Sequence, residues 1–194
     1  MSAASVAMKV PVRGRPDPGS AASIALWFFI AVACSLFTLF IAAYVMRLDG
    51  LEGYPLAMPW QFWASTALLV AGSAALELAR RRGLAGSLLR WGAVCAGLFV
   101  ISQLWGWQEL ASRKVLPVGN PAGSFLYVLT ALHGLHVIGG LGGWLLASRM
   151  GAQAWRIALL ARYWHFLLLV WVILFGLLGS MTPDVVRAIC GSLR

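Results

Sequence analysis

Hydrophobic residues in this chain fall into five long blocks, and the charged residues are confined to short clusters between them. The blocks cover residues 24–46, 57–78, 88–110, 124–148 and 159–181, each 22 to 25 residues long. At about 1.5 Å per residue, a helix of that length runs roughly 33 Å or more, enough to cross a bilayer with some tilt. None of the blocks alternates with period two. In lipid each segment must also satisfy its own backbone hydrogen bonds, so helices rather than barrel strands are predicted. The expected fold is all-α, a polytopic bundle of five transmembrane helices spanning 24–181. A mobile basic tail (1–23) holding Lys9, Arg13 and Arg15 precedes it, and a short tail (182–194) follows. Tail and first block together imitate a signal peptide. The block is longer than a cleavable apolar core, however, and no small-residue cleavage site follows it, so it reads as a retained span.

Composition supports a membrane location. The chain is 61% hydrophobic and 11% charged, whereas a soluble domain carries about a quarter charged residues. The net charge of +9 does not point to nucleic acid. The basic residues sit at block borders, as at Arg80, Arg81 and Arg82, with no aromatic residues interleaved. Counting Lys and Arg by side gives 10 on the face of the N-terminal tail and the second and fourth connections, against 5 on the other. The N-terminus is therefore expected in the cytoplasm and the C-terminus outside. Trp27, Trp60, Trp63, Trp91, Trp105, Trp107, Trp155 and Trp164 lie near block ends, where an indole prefers the membrane interface. Cys34, Cys95 and Cys190 share no metal-binding or disulfide spacing and read as packing residues.

The polar residues narrow the chemistry. The six acids are Asp17, Asp49, Glu52, Glu77, Glu109 and Asp184, and none lies in mid-span. That argues against a proton pump or cation transporter, which needs intramembrane carboxylates, and the absence of an internal repeat removes the inverted-repeat transporter architecture. In FLYVLTALHGLHVIGG (125–140), His133 and His136 stand one turn apart on an apolar helix. They read either as metal or haem ligands, joined by His165, or as polar groups bonded to neighbouring helices or lipid. Gly134, Gly139, Gly140 and Gly143 suit close helix packing, with a GxxxG step from Gly139 to Gly143. Arg162, Tyr163, Trp164 and His165 combine charge and aromatic rings at the inner border. They read as an interface anchor, or as contacts to a phospholipid headgroup or a partner subunit, and the two histidines of span four join that second reading.

Two of these segments carry a resemblance. Phe125, Tyr127, Leu129, Thr130, His133, Gly134, His136, Val137 and Gly140, followed by Tyr163, Trp164, His165 and Phe166, resemble the signature regions of subunit III of haem–copper terminal oxidases. LELARRR in span two and FVISQLWGWQEL in span three are similar to it as well. The resemblance implies a short, five-helix bacterial form in the inner membrane. Such a chain is non-catalytic, without cofactor or metal of its own, and docks beside the catalytic subunit I and near subunit II, with phospholipid between helices. Haem and copper would reside in the partner, and nucleic acid plays no part. His133 and His136 would then be structural. Two intramembrane carboxylates of the family pattern are absent, with Ala33 and Leu168 at their places. The readings set beside this one are an accessory subunit of a nitric oxide reductase, a small membrane transporter and a haem-ligating membrane cytochrome.

Overall fold

The computed structural model of the protein describes residues 18–48, 58–82, 85–116, 121–151 and 153–180. Among them are five helices: α1 (Pro18–Leu48), α2 (Trp60–Arg82), α3 (Ala85–Ser112), α4 (Pro121–Arg149) and α5 (Ala154–Ser180). All five are long and apolar enough to cross a membrane. Lys9, Arg13 and Arg15, the acids Asp49 and Glu52, and the tail 182–194 lie outside the described residues.

The helices run past several block borders. α1 begins six residues ahead of its apolar block and α3 three ahead, because backbone hydrogen bonding continues through polar residues once a helix is nucleated. The ends are set by local chemistry. α3 closes with the amide of Val115 donating to Leu110 O (3.0 Å) and that of Lys114 to Ala111 O (3.0 Å). This paired pattern requires a left-handed residue, and Lys114 supplies it at φ 62°. α4 stops before Gly151, at φ 85°, and the Arg156 guanidinium donates to the carbonyls of Met150 (2.5 Å) and Gly151 (3.2 Å).

Packing places α2, α5, α4 and α3 in a closed ring, with α1 laid outside against α4 and α5. α5 is the most enclosed helix and α1 the least. Each seam has a polar tie. The Gln103 amide donates to Ser65 Oγ (2.8 Å) between α3 and α2. Trp107 Nε1 donates to Thr130 Oγ1 (3.1 Å) between α3 and α4. Trp171 Nε1 donates to Thr66 Oγ1 (2.8 Å) between α5 and α2, and the Tyr163 hydroxyl donates to His136 O (2.8 Å) between α5 and α4. Outside the ring, Arg162 donates to Ser23 Oγ (2.8 Å) and lays its guanidinium over the Trp27 ring (5.5 Å), tying α1 to α5. Such contacts guide helix register in lipid, where apolar side chains gain little by leaving one oily surface for another.

The centre of the ring is aromatic. Trp171 stacks on Phe62 (6.2 Å between centroids) and meets Phe99 edge-on (5.3 Å). One level closer to the α2–α3 connection, Trp144 and Trp164 cross at 90°. Trp164 is wholly buried, so its expected role as an interface anchor is corrected: eleven residues into α5, its indole points into the core. Trp27, Trp60, Trp63, Trp91 and Trp105 are exposed on the outer surface.

Candidate functional site: an apolar groove and three histidines

The three histidines occupy three different environments. His133 is fully buried, and neither ring nitrogen finds a hydrogen-bond partner among the described residues. Its walls are aromatic: Trp171 at 5.2 Å, Phe99 at 5.7 Å and 76°, and Phe37 at 6.4 Å. His136, one turn further on, donates from Nδ1 to the carbonyl of Leu132 in its own helix (2.7 Å) and packs against Phe29 and Phe37. Phe37 touches both rings. Among the described residues no group of three His, Cys, Asp or Glu side chains converges as a metal site would require.

His165 is on a different flank. Its Nδ1 accepts from the Ser73 hydroxyl at 2.6 Å, and Nε2 faces Glu77 Oε2 at 3.4 Å. Glu77 also accepts from Arg80 (2.6 and 2.9 Å) and from Arg81 (2.6 Å). This cluster joins residues of α2 to one of α5. Sequence reading placed His165 with Arg162 and Tyr163, and nothing in the spacing of Ser73 and Glu77 pointed to it.

On the opposite side of α5, a groove of about 550 Å³ opens between α1, α4 and α5. Leu26 and Phe29 form one wall, Leu146 and Leu159 line it further, and Gly139 and Gly143 form its floor. Gly140, Trp155, Arg156 and Tyr163 are also among the lining residues, with Arg156 the cationic one. The GxxxG step therefore does not hold two helices together here. A Cβ on Gly139, Gly143 or Gly134 would meet nothing within 4 Å among the described residues. Gly140 is the glycine that packing needs. A Cβ there would stand 2.5 Å from Trp164 Cζ3 and 2.8 Å from Tyr163 Cε1. Gly106 likewise makes room for Phe62 (2.7 Å), and Gly92 makes room for the Trp144 ring.

Of the residues grouped as contacts to lipid or a second subunit, His133 and Trp164 thus lie inside the bundle, where neither lipid nor partner reaches them. Tyr163 faces the groove, Arg162 spans the α1–α5 seam, and His165 stands on the outer surface.

These features define a polytopic membrane protein built for packing, with a ring of four helices, a fifth strapped outside and an apolar groove beneath the strap. No family model matches the chain. It is 35% identical to the probable cytochrome c oxidase subunit 3 of Mycobacterium tuberculosis over 57% of its own length, and 32% identical to that of Nocardia farcinica over the same share. In both comparisons the match spans 61% of the relative's length. The cytochrome bo(3) ubiquinol oxidase subunit 3 of Pseudomonas aeruginosa is 26% identical over 85% of this chain and 87% of that protein. The homologues of the chain are thus subunit 3 of haem–copper oxidases, a cytochrome c oxidase and a ubiquinol oxidase among them.

Proposed function

We propose that the protein is a non-catalytic subunit III of a bacterial haem–copper terminal oxidase, serving aerobic electron transport by stabilising the subunit that reduces oxygen. The observation that carries this reading is the likeness to an oxidase subunit 3 through 85% of the chain, on a molecule that consists of five membrane-spanning helices among its described residues. The partners are the catalytic subunit I, which holds the haem and copper, and subunit II. The chain lies in the bacterial inner membrane with its N-terminus cytoplasmic and its C-terminus periplasmic, as the excess of basic residues on one side favours.

Phospholipid contributes to the assembly. The groove between α1, α4 and α5 is apolar and, at about 550 Å³, has room for part of an acyl chain, and its lining includes the cationic Arg156, suited to a phosphate. His136, Tyr163 and Arg162 border this side of the bundle. In the absence of lipid, the strap formed by α1 would lean on the few contacts it makes with α4 and α5.

The test is purification in a mild detergent through a C-terminal tag, with a reduced-minus-oxidised spectrum and identification of every polypeptide that comes through. Co-purification of a haem- and copper-bearing subunit, with no haem on this chain once it is separated, is the expected result. A chain that comes away alone and colourless refutes the oxidase reading. A chain that comes away alone and red makes its histidines haem ligands and refutes their structural role.

A further inference from the structure

The groove ends part-way through the membrane. From Phe29 onward α1 rests on α4: Phe29 meets His136 at 5.7 Å, Phe37 meets both His133 and His136, and Tyr44 meets Phe125 at 5.8 Å. Before Phe29 the groove parts the two helices, with Ala22 and Leu26 on one side and the open glycines Gly139 and Gly143 on the other. Along α4 it reaches from Gly139 to Met150. That is eleven residues and roughly 16 Å, about half of the ~30 Å hydrocarbon core. A partner's membrane helix crosses the whole core and would be seated along only half its length. A single acyl chain ends near the midplane, as the groove does, so the shape fits one phospholipid chain from the leaflet on the Arg156 side.

This part of α1 is held on α5. Arg162 donates to Ser23 Oγ at 2.8 Å and lies over the Trp27 ring, and a Cβ on Gly19 would stand 3.6 Å from Trp155 Cδ2. Just beyond Phe29 the helix has a point of give. Ser35 Oγ donates to the carbonyl of Ala31 at 3.0 Å, and a hydroxyl bonded back in this way eases a helix into a bend. Gly139 and Gly143 offer a surface on which a second backbone can come close. Closing α1 onto them takes about 4 Å, the carbon–carbon contact distance of the chain that would be displaced. Ala22 is nine residues from Ala31, roughly 14 Å along the axis. The movement is then a bend of about 16°, below the roughly 20° at which a kink needs proline or a broken hydrogen-bond ladder.

We propose that the first third of α1 is a strap with two positions. In one, the arrangement of this structure, Arg162 latches it to α5 and leaves room for a phospholipid chain. In the other it closes onto Gly139 and Gly143 and leaves none. A bound chain selects the latched position, since it fits that one alone. The inference rests on the phospholipid reading above and adds to it a moving wall and the residue that holds it.

The test uses the full chain with Cys34, Cys95 and Cys190 replaced by alanine. Nitroxide labels on Ile24→Cys and Leu145→Cys, both exposed and outside the groove lining, report the gap. Labels on Leu39→Cys and Leu135→Cys, also exposed and beyond the bend, give a fixed reference. Double electron–electron resonance measures both distances in micelles stripped of phospholipid and again after phosphatidylglycerol is added, while native mass spectrometry counts the lipid held. Without lipid, a population about 4 Å shorter is expected at 24–145 and not at 39–135. Arg162→Ala should raise its share roughly threefold, phosphatidylglycerol should remove it from the chain that keeps Arg162, and Gly143→Leu, which fills the groove floor, should abolish it throughout. A 24–145 distance that never changes overturns the strap, as does a shortening that phosphatidylglycerol fails to reverse or that appears equally at 39–135. If the distance never changes yet a lipid is held and is lost in Gly143→Leu, the groove stands as a lipid site with rigid walls. If no lipid is held either, the phospholipid reading falls as well.

Discussion

Replacing Gly140 with alanine isolates the contact on which the α4–α5 packing depends. The added methyl carbon would stand 2.5 Å from Trp164 Cζ3 and 2.8 Å from Tyr163 Cε1, whereas carbon atoms rest at about 3.5–4.0 Å. Relief requires a displacement of roughly 1 Å or more. Trp164 has no room to provide it, being fully buried and held at 90° against Trp144 at 5.0 Å. Tyr163 is tied through its hydroxyl to His136 O. The helices must therefore part, at the roughly 1–3 kcal/mol typical of overpacking. Alanine's better helix propensity returns up to about 1 kcal/mol, leaving Gly140→Ala about 1–2 kcal/mol less stable. The control is Gly143→Ala, where the methyl enters open groove and stability should be unchanged or slightly higher. Unfolding of the purified chain in mixed micelles by increasing SDS, followed by far-ultraviolet circular dichroism, reads both. Equal losses at the two positions, or no loss at Gly140, would refute the assignment of Gly140 as the packing glycine and the groove as open.

Four further substitutions probe other parts of the structure. His133→Leu removes two buried nitrogens that lack partners at nearly constant volume, so stability in the same assay should hold or rise by up to about 1 kcal/mol; a loss above about 2 kcal/mol would reveal a partner for the imidazole. Lys114→Gly relieves a left-handed lysine and should raise stability by about 0.5–1 kcal/mol, visible as a higher midpoint, whereas Gly151→Ala should lower it by a similar amount. Arg162→Ala removes the bond to Ser23 and the guanidinium over Trp27, so hydrogen exchange in the first three turns of α1 should quicken several-fold while that of α5 stays slow; unchanged exchange in α1 would show that the strap is held by apolar contact alone.

Five spans were legible in the chain because length and apolarity are all that a bilayer demands of a helix, and each block met both requirements without reference to the others. The scarcity of intramembrane carboxylates was equally plain from residue identity, as was the resemblance carried by His133, His136 and the Tyr163–Phe166 run. Which way any side chain pointed was not legible. In water, the polar face of a helix reveals its buried face, but lipid and protein core are both apolar, so inward and outward residues look alike in sequence. Trp164 and Trp63 each stand near the end of a block, yet one fills the core and the other faces outward. His133 and His136 differ by one turn, and only the neighbouring helices leave the first without a partner. The same holds for the glycines: Gly140 and Gly143 have identical chemistry, and the tertiary fold alone sets Trp164 against the first and empty groove over the second. The cluster of Ser73, Glu77 and His165 joins residues 92 positions apart. Pairing of that kind depends on which helices become neighbours, and that is settled by packing between segments whose outer surfaces the membrane treats as equivalent.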